Sequence, residues 1–232
     1  MILQKHNEIN VLRDDLLTGG TKSVLMSTIL DKDFDEYVYA SPVYGGFQIA
    51  LSAYCNKIGK AATIFCAKRT VMHDNTKRCL DLGATIFQIP YGYMTNLESK
   101  AKAYCSQSSK RQKLPFGANT EQAKAILAQR VSDALDQLGH EPDEIWCAVG
   151  SGTLIDSILM ATSKAICHGV QVGAEYKKTH ERLIIHKYHK PFDKPSKAFA
   201  PFPSMPNYDL KAWEYCIKMS DNKKNVLFWN VL

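Results

Sequence analysis

"EIWCAVGSGTLIDSIL", Glu144 to Leu159, decides the fold. Ile145 to Val149 run apolar without a break, as a strand covered on both faces requires, and the residues from Leu154 onward have helical spacing. Between them Gly150-Ser151-Gly152-Thr153 forms a tight turn at a helix N-terminus. Backbone N–H groups are exposed at such a turn, and the helix macrodipole favours an anion there. Ser151 and Thr153 can add hydroxyl donors, so the stretch reads as a phosphate cup. No Gly-Lys-Ser/Thr follows, which excludes a nucleotide P-loop, and the third glycine of a dinucleotide fingerprint is missing.

Working outward, the same alternation recurs. "EYVYAS" is a strand, "FQIALSAYCNKIG" a helix closing on Gly59, and "KAATIFCA" a continuous apolar strand. "HDNTKRCLDLGA" is a helix closing on Gly83, and "TIFQIP" is the next strand. "TEQAKAILAQRVSDALDQLG" places Ala123, Ile126, Leu127, Val131, Leu135 and Leu138 on one stripe, with Thr120 as its N-cap. "NYDLKAWEYCIKM" is a last helix before the strand "NVLFWNVL". Strands alternating with helices predict an α/β fold of twisted parallel sheets with helices on both faces.

The 232 residues, 45% hydrophobic, suffice for a substantial core. No apolar run approaches the roughly 18 residues of a membrane span, and "MILQKHNEIN" lacks the apolar core of a signal peptide, so a cytoplasmic protein without a membrane partner is expected. Seven scattered cysteines, without a CxxC pair or Cys/His spacing, read as reduced core residues, and no metal site is expected. Trp146, Trp213 and Trp229 read as core, His73 as a helix-cap neighbour, and Glu121 and Asp156 as solvated helix positions. The net charge of +6 is partly concentrated between Gln171 and Ala200, where seven Lys and Arg residues face three acidic ones and His180, His186 and His189 are interleaved. That tract reads as a solvated loop or as a surface for an anionic or nucleic-acid partner.

A second constellation is "RDDLLTGGTKSVL", Arg13 to Leu25. Gly19 and Gly20 let the backbone pass close to a bulky planar group, and Lys22, held in apolar surroundings, could serve as a Schiff-base amine. A reactive lysine and a phosphate cup on one α/β scaffold are what pyridoxal phosphate requires.

The order of these motifs resembles the tryptophan-synthase-β-like (fold type II) family of pyridoxal-phosphate enzymes, most closely the 1-aminocyclopropane-1-carboxylate deaminase and D-cysteine desulfhydrase branch. "VLRDDLLTGGTKSVL" is similar to that branch's Arg-Glu-Asp followed by Gly-Gly-Asn-Lys, which implies Lys22 as the Schiff-base lysine. "CAVGSGTLIDSIL" resembles its phosphate loop, implying cofactor contacts from Gly150, Ser151, Gly152, Thr153 and Leu154. "MPNYDLKA" resembles its tyrosine motif and implies Tyr208 as a catalytic residue, while "NVLFWN" resembles the terminal strand, with Asn230 near the pyridine ring. The resemblance implies one catalytic unit of two interleaved α/β subdomains, a small one at roughly 38–120 and a large one at 1–37 plus 121–232, in a chain shorter than typical members. Homodimers are the rule among such relatives.

The departures also carry information. The family's Ser-Asn helix start falls on "PVYGGFQIAL", which puts Gly45 at the serine position and Gly46 at the cofactor-contacting asparagine. Tyr44 and Gln48 are the nearby polar substitutes, and Asn119 in "PFGANT" falls in a segment that approaches cofactor or substrate. Opening a cyclopropane ring by the family route is therefore not expected. The sequence is similar to compact bacteriophage relatives that act on amino-acid groups attached to thymine during DNA hypermodification. That resemblance implies decarboxylation of a DNA-linked amino acid, in the host cytoplasm. Elimination from a small amino acid such as D-cysteine, or a non-catalytic protein that kept the fold, are the alternatives.

Overall fold

The computed structural model describes residues 1–221 and 224–232. In chain order the elements begin with β1 (Leu3–His6), β2 (Ile9–Arg13), α1 (Met26–Ile29), β3 (Glu36–Ala40), α2 (Phe47–Ile58) and β4 (Ala61–Ala67). They continue with α3 (Asp74–Asp81), β5 (Thr85–Ile89), α4 (Met94–Cys105), β6 (Arg111–Lys113), α5 (Glu121–Leu138) and β7 (Glu144–Val149). The last are α6 (Thr153–Ala161), β8 (Ile166–Gln171), β9 (Leu183–Lys187), α7 (Asp209–Met219) and β10 (Val226–Asn230).

These form two compact units, Met1–Leu16 with Asn119–Leu232, and Leu17–Ala118. The first boundary thus falls after Leu16 rather than at 37. Its cause is local: a Cβ on Gly19 would collide with the Ala50 backbone, so the lysine-bearing segment is packed onto α2 and belongs with that helix.

The first unit holds a six-stranded sheet in the order β1-β2-β10-β7-β8-β9. β1 pairs antiparallel with β2, and every other pairing is parallel. Alternation along the strands sorts the core by face. Val11, Trp146 and Phe228 pack with Trp213 and Cys216 of α7. Leu12, Ile145, Cys147, Leu227 and Trp229 pack with Val131 of α5 and Ile155 and Ile158 of α6. All three tryptophans are buried, as expected.

The second unit holds a parallel sheet in the order β5-β4-β3-β6. Val38, Ala40 and Phe65 face Leu97 and Ala101 of α4. Tyr39, on the opposite face, meets Phe47 of α2. Apart from the antiparallel edge strand β1, both units are therefore parallel sheets with helices on two faces.

Six cysteines are buried and Cys105 is half-buried. Thr120 accepts from the Ala123 N–H and caps α5, and His73 is itself the cap of α3, accepting from the Asn75 N–H. Part of the basic tract is the edge strand β9 and not loop throughout. No helix among the described residues is long and apolar enough to cross a membrane.

Candidate functional site

In an open parallel sheet, ligands bind outside the carboxyl ends of the strands, where the strand order reverses. In the second unit the chain runs β3, β4, β5 in one direction and then crosses to β6 on the other side of β3. The switch point is thus flanked by the loops that follow β3 and β6. Lys22 reaches the second of these, its Nζ donating to the Gly117 carbonyl at 2.6 Å. The Gly117 N–H in turn donates to the buried Tyr39 hydroxyl at 3.1 Å.

The backbone around the amine is bent on both sides. Gly19 and Gly20 have φ of 88° and 71°, and Gly117 and Ala118 have 65° and 50°, left-handed values that suit glycine and strain alanine. Burial pulls the Lys22 ammonium down to about 7. Near neutrality the amine is therefore half unprotonated, the form that attacks a carbonyl carbon.

The loop after β3 places Tyr44 edge-on to His73 with centroids 4.7 Å apart, and the Arg69 guanidinium stands 5.7 Å over the Tyr44 ring. Gly45 donates its N–H to Pro42, and Gly46 precedes α2 with right-handed backbone. Gln48, expected as a substrate contact, is turned inward. Its Nε2 donates to the carbonyls of Pro42, Val43 and Gly45 at 3.2, 3.1 and 3.0 Å, while its Oε1 is buried without a partner among the described residues. The amide braces its own loop.

In the first unit the strands β7, β8 and β9 run one way from the centre and the chain then returns to β10 on the other side of β7. The turn after β7, Gly150 to Gly152, lies at that switch point and leads into α6. Gly152 has φ of 83°, and a Cβ there would collide with the Tyr176 ring. A Cβ on Gly150 would stand 3.1 Å from the Tyr208 hydroxyl. Ser151 and Thr153 hydroxyls lie 2.9 Å apart, and Asn119 Nδ2 donates to the Ser151 carbonyl at 3.3 Å. Leu154 follows, nearly buried, in the first turn of α6. The first turn of an α-helix leaves N–H donors outside the helical ladder, and in α6 those are the donors of the segment that the sequence marks as a candidate anion cup.

Tyr208 donates toward the Ala148 carbonyl at 3.4 Å, and burial pushes its phenol pKa upward. Beside it Asp209, which sequence reasoning missed, is fully buried. One of its oxygens accepts from the Leu232 N–H at 2.9 Å; the other has no partner among the described residues. Burial, then the nearby Asp15 and Asp14 carboxylates, hold its pKa well above the usual carboxylate range. The signal available in the sequence was only its place next to Tyr208.

Asn230 is fully engaged, accepting from Ser204 Oγ at 2.9 Å and donating to the Pro203 carbonyl at 2.8 Å. Asp156, expected at a solvated position, is buried instead. It accepts from the Tyr176 hydroxyl and from Lys178, and Lys124 lies 3.6 Å away. Glu121 is exposed as expected and pairs with Lys124. The Arg-Asp-Asp stretch is structural: Arg13 pairs with Asp15 at 2.8 Å, and Asp14 is held by Arg130 and by Trp229 Nε1 at 3.1 Å.

No known family profile matches the chain, and no curated protein matches it. The architecture is that of the fold type II α/β proteins. Among solved structures, the chain is similar to an ACC deaminase homologue, with a TM-score of 0.83 over 96% of this chain and 83% of that one, at 15% identity. It is also similar to cysteine synthase (OASS) from Entamoeba histolytica, with a TM-score of 0.59 over 73% of this chain and 56% of that one, at 12% identity. At such identities the likeness establishes the fold.

Proposed function

We propose that the chain is a pyridoxal-phosphate enzyme, a lyase acting at the α-carbon of an amino-acid group. The observation that carries this reading is Lys22, a lysine with a lowered pKa, prepared by two left-handed glycines and placed at a strand-order switch point. The residues present fit the cofactor. Lys22 would hold it covalently, Gly150 to Thr153 would hold its phosphate, and the unpaired oxygen of Asp209 can share a proton with a ring nitrogen. When bound, the cofactor supplies an electron sink for charge developing at the α-carbon.

The chain's own contribution is to place protons and orient groups. An amine near pKa 7 both accepts and returns a proton at neutral pH, so Lys22 suits general acid–base work. Tyr208, whose phenol stays protonated, stands against Gly150 and limits how the turn can be approached. Tyr44, Gly45 and Asn119 are the groups we assign to the substrate side.

For the substrate we favour an amino acid attached to a thymine base, with loss of its carboxylate as CO₂. Two features support that choice. Gln48, the polar group nearest the usual carboxylate grip, is tied to its own loop. The tract from 171 to 200 carries the excess positive charge that a DNA-linked group calls for. The working form would be a homodimer.

Incubation with pyridoxal phosphate, borohydride reduction and peptide mass spectrometry should place one pyridoxyl group on Lys22 and none in Lys22→Ala. Adduct formation should be half-maximal near pH 7, where an exposed lysine would require a pH near 10. An adduct on another lysine refutes the reading. CO₂ release from DNA bearing an amino-acid-modified thymine, against pyruvate release from D-cysteine, then decides the reaction.

A further inference from the structure

The basic tract does more than balance charge. With the β1–β2 turn and α7 it encloses a cleft of about 690 Å³ in the first unit, lined among others by His6, Lys190, Lys197, Phe199, Trp213 and Lys218. Four of these can carry positive charge. Glu214, the carboxylate in the lining, accepts from Lys218, Tyr188 and Ser196 at 2.7, 2.7 and 2.8 Å, and those contacts hold its pKa at about 2. Lys190 and Lys197 have no ion pair among the described residues.

Phe199 is the second, independent feature. The residue is 82% exposed, yet its backbone is pinned, because the buried Trp213 donates its indole N–H to the Phe199 carbonyl at 3.2 Å. Three residues earlier in that stretch, Ser196 Oγ accepts from the Ala198 N–H and Ser196 N–H donates to the Pro206 carbonyl at 2.8 Å. An exposed phenyl side chain on a pinned backbone thus lines the same cleft as two ammonium groups that have no ion pair among the described residues. Cations that track phosphates, together with an exposed aromatic face on which a base stacks, are the elements by which single strands are bound.

We infer that this cleft binds a single-stranded stretch of nucleic acid, with phosphates on Lys190 and Lys197 and a base on Phe199. The cleft is concave and suits a chain laid into it; a bilayer would need the aromatic on a protruding surface. The inference extends the DNA-linked substrate reading and rests on it for the identity of the strand. Its test needs no cofactor, so either can fail alone.

Fluorescence anisotropy with a short dye-labelled single-stranded DNA is the measurement. Log affinity should fall against log salt with a slope of about −1.4, as for two phosphate contacts on a single strand. Lys190→Gln with Lys197→Gln should weaken binding about tenfold at low salt and bring the slope close to zero. Phe199→Ala should weaken binding about tenfold and leave the slope unchanged, and Phe199→Leu, which keeps bulk but lacks a π-face, should behave like Phe199→Ala. All these positions are on the surface, so thermal melting should not move. Affinity indifferent to either set of variants, heparin bound equally well with no Phe199 dependence, or binding to anionic vesicles in place of DNA would each overturn the assignment.

Discussion

At the start of α2 the side chain of Gln48 folds back and donates to three carbonyls of the loop that precedes it; at the start of α6 the support comes from outside the turn. There Tyr208 stands against Gly150, Tyr176 against Gly152, and Asn119 holds the Ser151 carbonyl. Both turns contain glycine, both follow a parallel strand, and both lead into a helix. One ties three of its carbonyls to its own side chain, while the Gln48 Oε1 stays buried without a partner among the described residues. The other is clamped at its flanks by side chains from elsewhere, and a helix start held in that way keeps the dipole end that favours an anion. The difference shows that a glycine-rich helix start is not a binding site by composition; what matters is which groups the turn has already satisfied.

The largest expected effect breaks the clamped turn. Gly152→Ala requires a left-handed alanine and drives its methyl into Tyr176, so a loss of about 2–4 kcal/mol in urea unfolding should accompany loss of pyridoxal-phosphate affinity. A stable variant with normal affinity would mean that the turn is not held as described. Next comes the self-braced loop. Gln48→Leu strips three carbonyls of their donor and should cost about 2 kcal/mol in stability while Lys22 is still trapped by borohydride.

Acid offers a further test, because one unit carries a titratable pair in its core. His168 Nδ1 and His186 Nε2 lie 3.0 Å apart, His168 is stacked on Trp146 at 4.0 Å, and Glu144 and Lys224 flank the pair. Burial pushes His168 down to about 4 and lowers His186 as well. An unfolded histidine takes its proton near pH 6.5 and the folded one resists until about 4, so stability is complete above 6.5 and declines between those values. Allowing for partial exposure, the loss is on the order of 1–2 kcal/mol, and His168→Phe should flatten the dependence. The smallest effect is Ser151→Ala, for which calorimetry should show phosphate affinity reduced about fivefold and an unchanged melting temperature.

Much of the fold was legible in the sequence because its central strands are unbroken apolar runs. Ile145 to Val149, Val226 to Trp229 and Ala62 to Cys66 are all buried, and no other element type explains such short runs flanked by glycine and polar residues. β9 was hidden by its position at a sheet edge, where Leu183–Lys187 needs apolar residues on one face only and sits among lysines and histidines. α4 was missed because only Leu97 and Ala101 on it are buried, too few to set a periodicity. Of the candidate site, Lys22 and the turn at 150–153 were readable from glycine spacing. Gln48, Asp156 and Asp209 were not, since sequence shows what a side chain can do and not which way it turns: one amide faces its own loop, and two carboxylates lie under cover.

The sheet order of the first unit also bears on how the protein is made. β10 lies between β2 and β7, with Val226 opposite Ile9 on one side and Glu144 on the other. On the ribosome, neither neighbour meets this partner until residue 230 has left the exit tunnel, whereas Leu17–Ala118 is a continuous segment with all its strands in hand by residue 118. Nascent chains arrested before 226 should therefore carry a protease-resistant internal segment between two digestible arms.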